Sequence, residues 1–104
     1  MNYSIDDFYG DIEDCLELAY KELKDRKNDI DGESSLEQLE NYIIPELEKL
    51  LIKINNKESL PPNTHKDRYI SSFGSAFKVW GWDIMNPTKF YIKLLELNKN
   101  YKKL

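Results

Sequence analysis

Apolar residues recur along this chain at helical spacing in four stretches. In the first, Ile5, Phe8, Ile12, Cys15, Leu16, Ala19 and Leu23 fall on one arc. Asp7, Asp11, Asp14, Lys21 and Asp25 fall on the opposite arc. Ser4 is a good N-cap, and Asp6 and Asp7 sit in the first turn, where carboxylates complement the helix dipole. The pattern predicts an amphipathic helix from Ser4 to about Lys27, ended by the turn chemistry of NDIDGES.

The second stretch opens with a capping box, either Ser34 with Glu37 or Ser35 with Gln38. Leu36, Leu39, Ile43, Leu47, Leu50, Leu51 and Ile54 keep the helical period to about Asn56. Pro45 interrupts it, and a proline inside a helix removes a hydrogen bond and clashes with the preceding turn. The expectation is a kink there, or a break at which Pro45 opens a further helix. NNKESLPPN follows as a loop stiffened by Pro61 and Pro62.

A third helix is predicted from about Lys66 to Trp80, with Tyr69, Ile70, Phe73, Ala76, Phe77 and Trp80 on one face. Gly81 is expected to end it in a left-handed cap. The fourth is expected to start at Asn86 with Pro87 in the first turn. Phe90, Leu94, Leu97, Tyr101 and Leu104 form its stripe, widened by Tyr91 and Leu95. Alternating runs are absent, so no strand competes. The predicted fold is all-α: one domain spanning residues 1–104, a compact bundle of four amphipathic helices, or five if Pro45 splits the second.

Charge changes this picture most. Met1 to Thr64 hold sixteen acids against seven bases, a net charge of −9. His65 to Leu104 hold eight bases against three acids, a net charge of +5. A domain with an acidic side steers basic partners toward itself. No window approaches the length of a membrane span, and MNYSIDDFYG lacks the basic start and apolar core of a secretory signal. With Cys15 as the single cysteine, no internal disulfide can form. The expected setting is the cytosol, with no membrane partner.

Candidate chemistry is sparse. Asp6, Asp7 and Asp11 superficially resemble the aspartate-rich motif of prenyl-transfer enzymes, but those enzymes use two such clusters and are far longer. Asp29, Asp31 and Gly32 lie between helices like a calcium loop, yet Lys27 and Gln38 stand where a carboxylate and a bidentate Glu are needed. Glu37 and Glu40 resemble one motif of the helical nucleotide pyrophosphatases, without the second acidic motif downstream. His65 has no second histidine or cysteine for zinc, and Cys15 lies in the apolar stripe, where a thiol is inert. Lys89, Lys93, Lys99, Lys102 and Lys103 surround aromatics, but a pI near 5.0 opposes phosphate binding. The expectations are therefore no catalytic residue, no metal, no cofactor and no nucleic-acid partner.

Trp82 follows Gly81 off the helix stripe. It either packs as a lid on the bundle or serves as a hot spot for a partner. In length, acidity and helical patterning the chain resembles the small helical immunity proteins of bacteriocin and contact-dependent toxin systems. The resemblance is one of general form over the whole chain. It implies an inhibitor that occludes a basic, nuclease-like toxin domain. The residues expected to meet that partner are Asp7, Asp11, Asp14, Glu17 and Trp82. The alternatives are a metal-dependent helical-bundle hydrolase and an adaptor that binds a host protein, and a homodimer through the Trp82 region is also open.

Overall fold

The computed structural model describes residues 3–58, 60 and 68–104. Every regular element among them is helical: α1 (Ile5–Lys27), α2 (Leu36–Gln38), a π turn (Leu39–Ile43), α3 (Ile44–Asn55), α4 (Ser71–Lys78) and α5 (Lys89–Tyr101). Helix α1 begins as predicted. Ser4 Oγ accepts from Asp7 N–H while the Asp7 carboxylate accepts from Ser4 N–H, a reciprocal capping box. It buries Phe8, Ile12, Cys15, Leu16 and Ala19, whereas Ile5 at the end of the arc is exposed.

Of the two possible caps for the second stretch, Ser35 with Gln38 is used. Pro45 does not break the helix. The helix widens into the π turn just before it, and the backbone stays helical through Leu39, Ile43 and Ile44. Pro45 follows directly on the π turn, whose Ile44 N–H returns to Leu39 O, so the wider turn accommodates a residue that lacks an N–H. The segments α2, π turn and α3 therefore form one continuous helix, and the bundle has four.

Helices α1 and α3 both end in Schellman motifs. Ile30 N–H returns to Asp25 O and Glu58 N–H to Lys53 O, with Asp29 and Lys57 in the left-handed conformation. Helix α1 packs against both α3 and α5. The Phe8 and Tyr101 rings stack at 5.0 Å, joining the start of α1 to the end of α5.

Two predicted boundaries shift. Helix α4 starts at Ser71 rather than near Lys66, because Ile70 is extended and its N–H is held by Asn98 Oδ1 at 2.6 Å. On α4, Ser72 and Ala76 are buried and Phe73 packs against the core, while Phe77 is half exposed. Helix α5 starts at Lys89, not at Asn86–Pro87. Thr88 is the N-cap and accepts from Tyr91 N–H, while Asn86 belongs to a turn around the Asp83 carboxylate. Gly81 has φ +70°, as a left-handed turn after α4 requires. Trp82 N–H folds back to Ala76 O. No described helix is long and apolar enough to cross a membrane.

Candidate functional site

The acids of α1 divide into those the fold uses and those it leaves outward. Asp7 is held by its own cap: the Ser4 backbone N–H first, then the Ser4 hydroxyl, keep its carboxyl below the usual carboxylate range. Asp11 is not part of an outward stripe. It is half-buried and accepts hydrogen bonds from the Tyr3 hydroxyl and from Asn100 Nδ2, tying α1 to the end of α5. Its place on the flank toward α5, rather than opposite the core, explains the difference. Asp14 lies 3.9 Å from Lys93 Nζ and stays mostly exposed, so this pair contributes little. Glu17 is exposed.

Two outward acids were not among the residues expected to meet a partner. Asp6 and Glu13 are exposed on the same helix face as Asp14 and Glu17, with Gly10 among them. Helical spacing alone could have found them, since Asp6, Gly10, Glu13 and Glu17 follow steps of four, three and four residues. A Cβ added at Gly10 would meet nothing within 4 Å, so this face is open.

The loop between α1 and α2, which carries the calcium-like Asp29, Asp31 and Gly32, is organised by a cation of its own. Arg26 Nε donates to Ser34 O at 2.6 Å and Nη1 to Ile30 O at 2.9 Å, while Nη2 pairs with Glu22 at 3.2 Å. A Cβ at Gly32 would fall 1.7 Å from Arg26 Nη2, so the guanidinium lies in the space a side chain would take. Ser34 is buried against this arginine, which is why it does not cap α2. Among the described residues no group of three or more His, Cys, Asp or Glu is arranged to hold a metal. Cys15 is buried, and burial pushes its thiol up to about 12, which leaves it unreactive at neutral pH. His65 lies outside the described residues.

The basic side chains of the C-terminal half are partly drawn into the fold. Lys102 Nζ donates to Arg68 O at 2.6 Å, and Lys103 lies over the Tyr3 ring. Arg68 itself donates to Leu104 O and sits over the Tyr101 ring.

Trp82 is 5 % exposed, so as a partner hot spot it is corrected to a lid. Its indole packs edge-on to Tyr91 at 5.4 Å and beside Trp80 and Phe90. Its Nε1 donates to Gln38 Oε1 at 3.2 Å, the same atom that completes the α2 capping box. Glu33 draws the loops together by accepting from Asp83 N–H at 2.8 Å. Near Trp82 in sequence, Phe77 (50 %), Val79 (76 %), Ile84 and Met85 (84 %) are exposed.

An open groove of about 770 Å³ runs between α3 and α4, lined in part by Tyr42, Lys49, Lys53, Tyr69 and Ser75. Glu46, the one carboxylate among the described residues that line it, is occupied by the start of α4, accepting from Ser71 N–H, Ser72 N–H and Ser72 Oγ. In comparisons with protein-family models, curated proteins and solved structures, nothing matches this chain.

Proposed function

We propose that this chain is a protein-binding inhibitor that captures a basic partner through the outward face of α1, in the manner of an immunity protein occluding a toxin domain. One observation carries the reading. The fold uses Asp7, Asp11, Glu22, Glu33 and Glu46 internally, yet Asp6, Glu13 and Glu17 make no hydrogen bond or ion pair among the described residues. Carboxylates clustered without internal partners repel one another, and a cationic surface relieves that repulsion and is drawn in faster. The mechanism is occlusion: Asp6, Glu13, Asp14 and Glu17 face the basic residues of the partner's cleft and exclude its substrate. Asp11 supports this face from behind without touching the partner.

The test is a tagged pull-down from native cell extract at low and high salt, using the wild-type chain and the Glu13→Lys/Glu17→Lys variant. The expected result is one stoichiometric basic protein, toxic when expressed alone, lost at high salt and lost with the variant. Capture of a housekeeping protein at any salt would turn the reading to an adaptor. Equal capture by the variant would remove α1 from the mechanism.

A further inference from the structure

The walls of the groove between α3 and α4 are tied together by Glu46, which reaches from α3 to three donors at the start of α4. Tyr101, in the lining, is stacked on Phe8, and Tyr42 packs against Trp80 at 5.8 Å. A cleft fixed in this way loses little entropy when it is filled. Its volume of about 770 Å³ falls within the range of small-molecule sites, and the buried Leu50 and Tyr101 beside Pro45 make part of it apolar. Tyr42 and Tyr69 line it while each stays more than half exposed, so two phenol rings are open to a planar ligand.

Charge identifies the ligand. Residues 1–64 carry −9, yet two of the seven bases in that stretch, Lys49 and Lys53, line this groove. They are one turn apart on α3, close enough for both ammonium groups to meet one oxyanion. Lys49 is exposed and makes no hydrogen bond or ion pair among the described residues. Lys53 lies 4.0 Å from Glu58, and the partial exposure of both makes this pair a weak competitor. Glu46 is compensated by its three donors and by the positive end of α4. Glu48, the other acid of α3, accepts from Tyr20 on α1 and does not line the groove. Arg68, 5.6 Å over the Tyr101 ring, adds a cation beside the lining. Three cations against two engaged carboxylates make this a positive place in a chain of net charge −4. We propose that the groove binds a small organic anion, a planar apolar body bearing one carboxylate or phosphate. The body lies against Tyr42, Leu50 and Tyr69, the oxyanion lies between Lys49 and Lys53, and the Ser71 and Ser75 hydroxyls in the lining offer further donors. None of the outward α1 acids takes part, so this reading and the inhibitor reading fail separately.

Titration of the full chain with naphthoate, followed by amide shifts, tests this. The shifts should saturate and centre on Lys49, Lys53 and the stretch from Tyr69 to Ser75. Naphthalenemethanol keeps the ring without the charge and acetate keeps the charge without the ring; each should bind at least about tenfold more weakly than naphthoate. Lys49→Gln, at an exposed position, should weaken naphthoate binding about tenfold while keeping the wild-type helical circular dichroism, because a charge-assisted contact is lost. A wild-type chain with no saturable shift at millimolar naphthoate overturns the proposal, as do shifts centred elsewhere or equal binding of the neutral ring. Tighter binding of an unstructured glutamate-rich peptide than of naphthoate would overturn it in favour of a peptide occupant.

Discussion

Glu46 caps a helix to which it does not belong. From α3 its carboxylate accepts the Ser72 backbone N–H at 2.8 Å and the Ser72 hydroxyl at 2.6 Å, with Ser71 N–H at 2.7 Å on the other oxygen. The cap residue of α4, Ile70, has no side-chain acceptor, so the first N–H groups of the helix depend on this carboxylate. The carboxylate also meets the positive end of the α4 dipole. Glu46→Ala should cost about 2 kcal/mol, because several charge-assisted hydrogen bonds disappear together. Glu46→Gln should cost less, since one acceptor remains. Urea denaturation followed by circular dichroism measures both. An alanine variant as stable as wild type would mean that solvent satisfies the start of α4 equally well.

The acids of α1 should separate by stability. Asp11→Ala removes the acceptor of both the Tyr3 hydroxyl and Asn100 Nδ2, and should cost about 1–3 kcal/mol. Glu13→Lys and Glu17→Lys touch nothing in the fold and should stay within about 0.5 kcal/mol of wild type. Thermal melts at fixed ionic strength suffice. If Glu17→Lys destabilised as much as Asp11→Ala, the division of α1 into used and unused acids would be wrong.

The helices themselves were legible because burial follows the helical period. Phe8, Ile12, Leu47, Leu94 and Leu97 occupy the core where their spacing puts them. The Ser4 cap and the left-handed Gly81 could also be read from local chemistry, whereas Ser35 was one of two equal candidates until Arg26 claimed Ser34. What could not be read were contacts between residues distant in sequence. Nothing near Asp11 announces Asn100, and nothing near Ser71 announces Glu46. Asn86–Pro87 is a strong start signal that lost to Thr88, because the Asp83 carboxylate claimed the N–H of Asn86. The lid role of Trp82 depends on Gln38, forty-four positions away, so the loop sequence alone left its exposure open.

Alkaline pH should unfold the protein in stages. Burial raises the Cys15 thiol from 9.0 to about 12, and burial likewise holds the hydroxyls of Tyr3, Tyr20, Tyr91 and Tyr101 above their ordinary 10.0. Each group keeps its proton longer in the folded chain than in the unfolded one. Their contribution is therefore complete below the unfolded values and is lost as pH rises through and beyond them. Stability should hold to about pH 9, fall first as the unfolded thiol ionises, and fall more steeply past about pH 10 as the phenols follow. Cys15→Ala should flatten the first stage and leave the second. Melts between pH 7 and 12 read this directly, and an alkaline profile unchanged by Cys15→Ala would contradict it.

Tyr91 should be better as phenylalanine. Its ring is fully buried, edge-on to Trp82 and 5.8 Å from Phe73, so it is part of the core that carries the lid. Its hydroxyl has no hydrogen-bond partner among the described residues, and neither does the buried Glu33 Oε1. A buried hydroxyl without a partner costs desolvation with no return. Tyr91→Phe keeps the ring, removes the polar atom and should stabilise the chain by about 1 kcal/mol, a rise of several degrees in Tm for a domain of this size. The same change should lessen the loss of stability at high pH, because one ionising phenol is gone. A variant less stable than wild type would show that the hydroxyl makes a hydrogen bond in solution that binds the lid more tightly than ring packing alone.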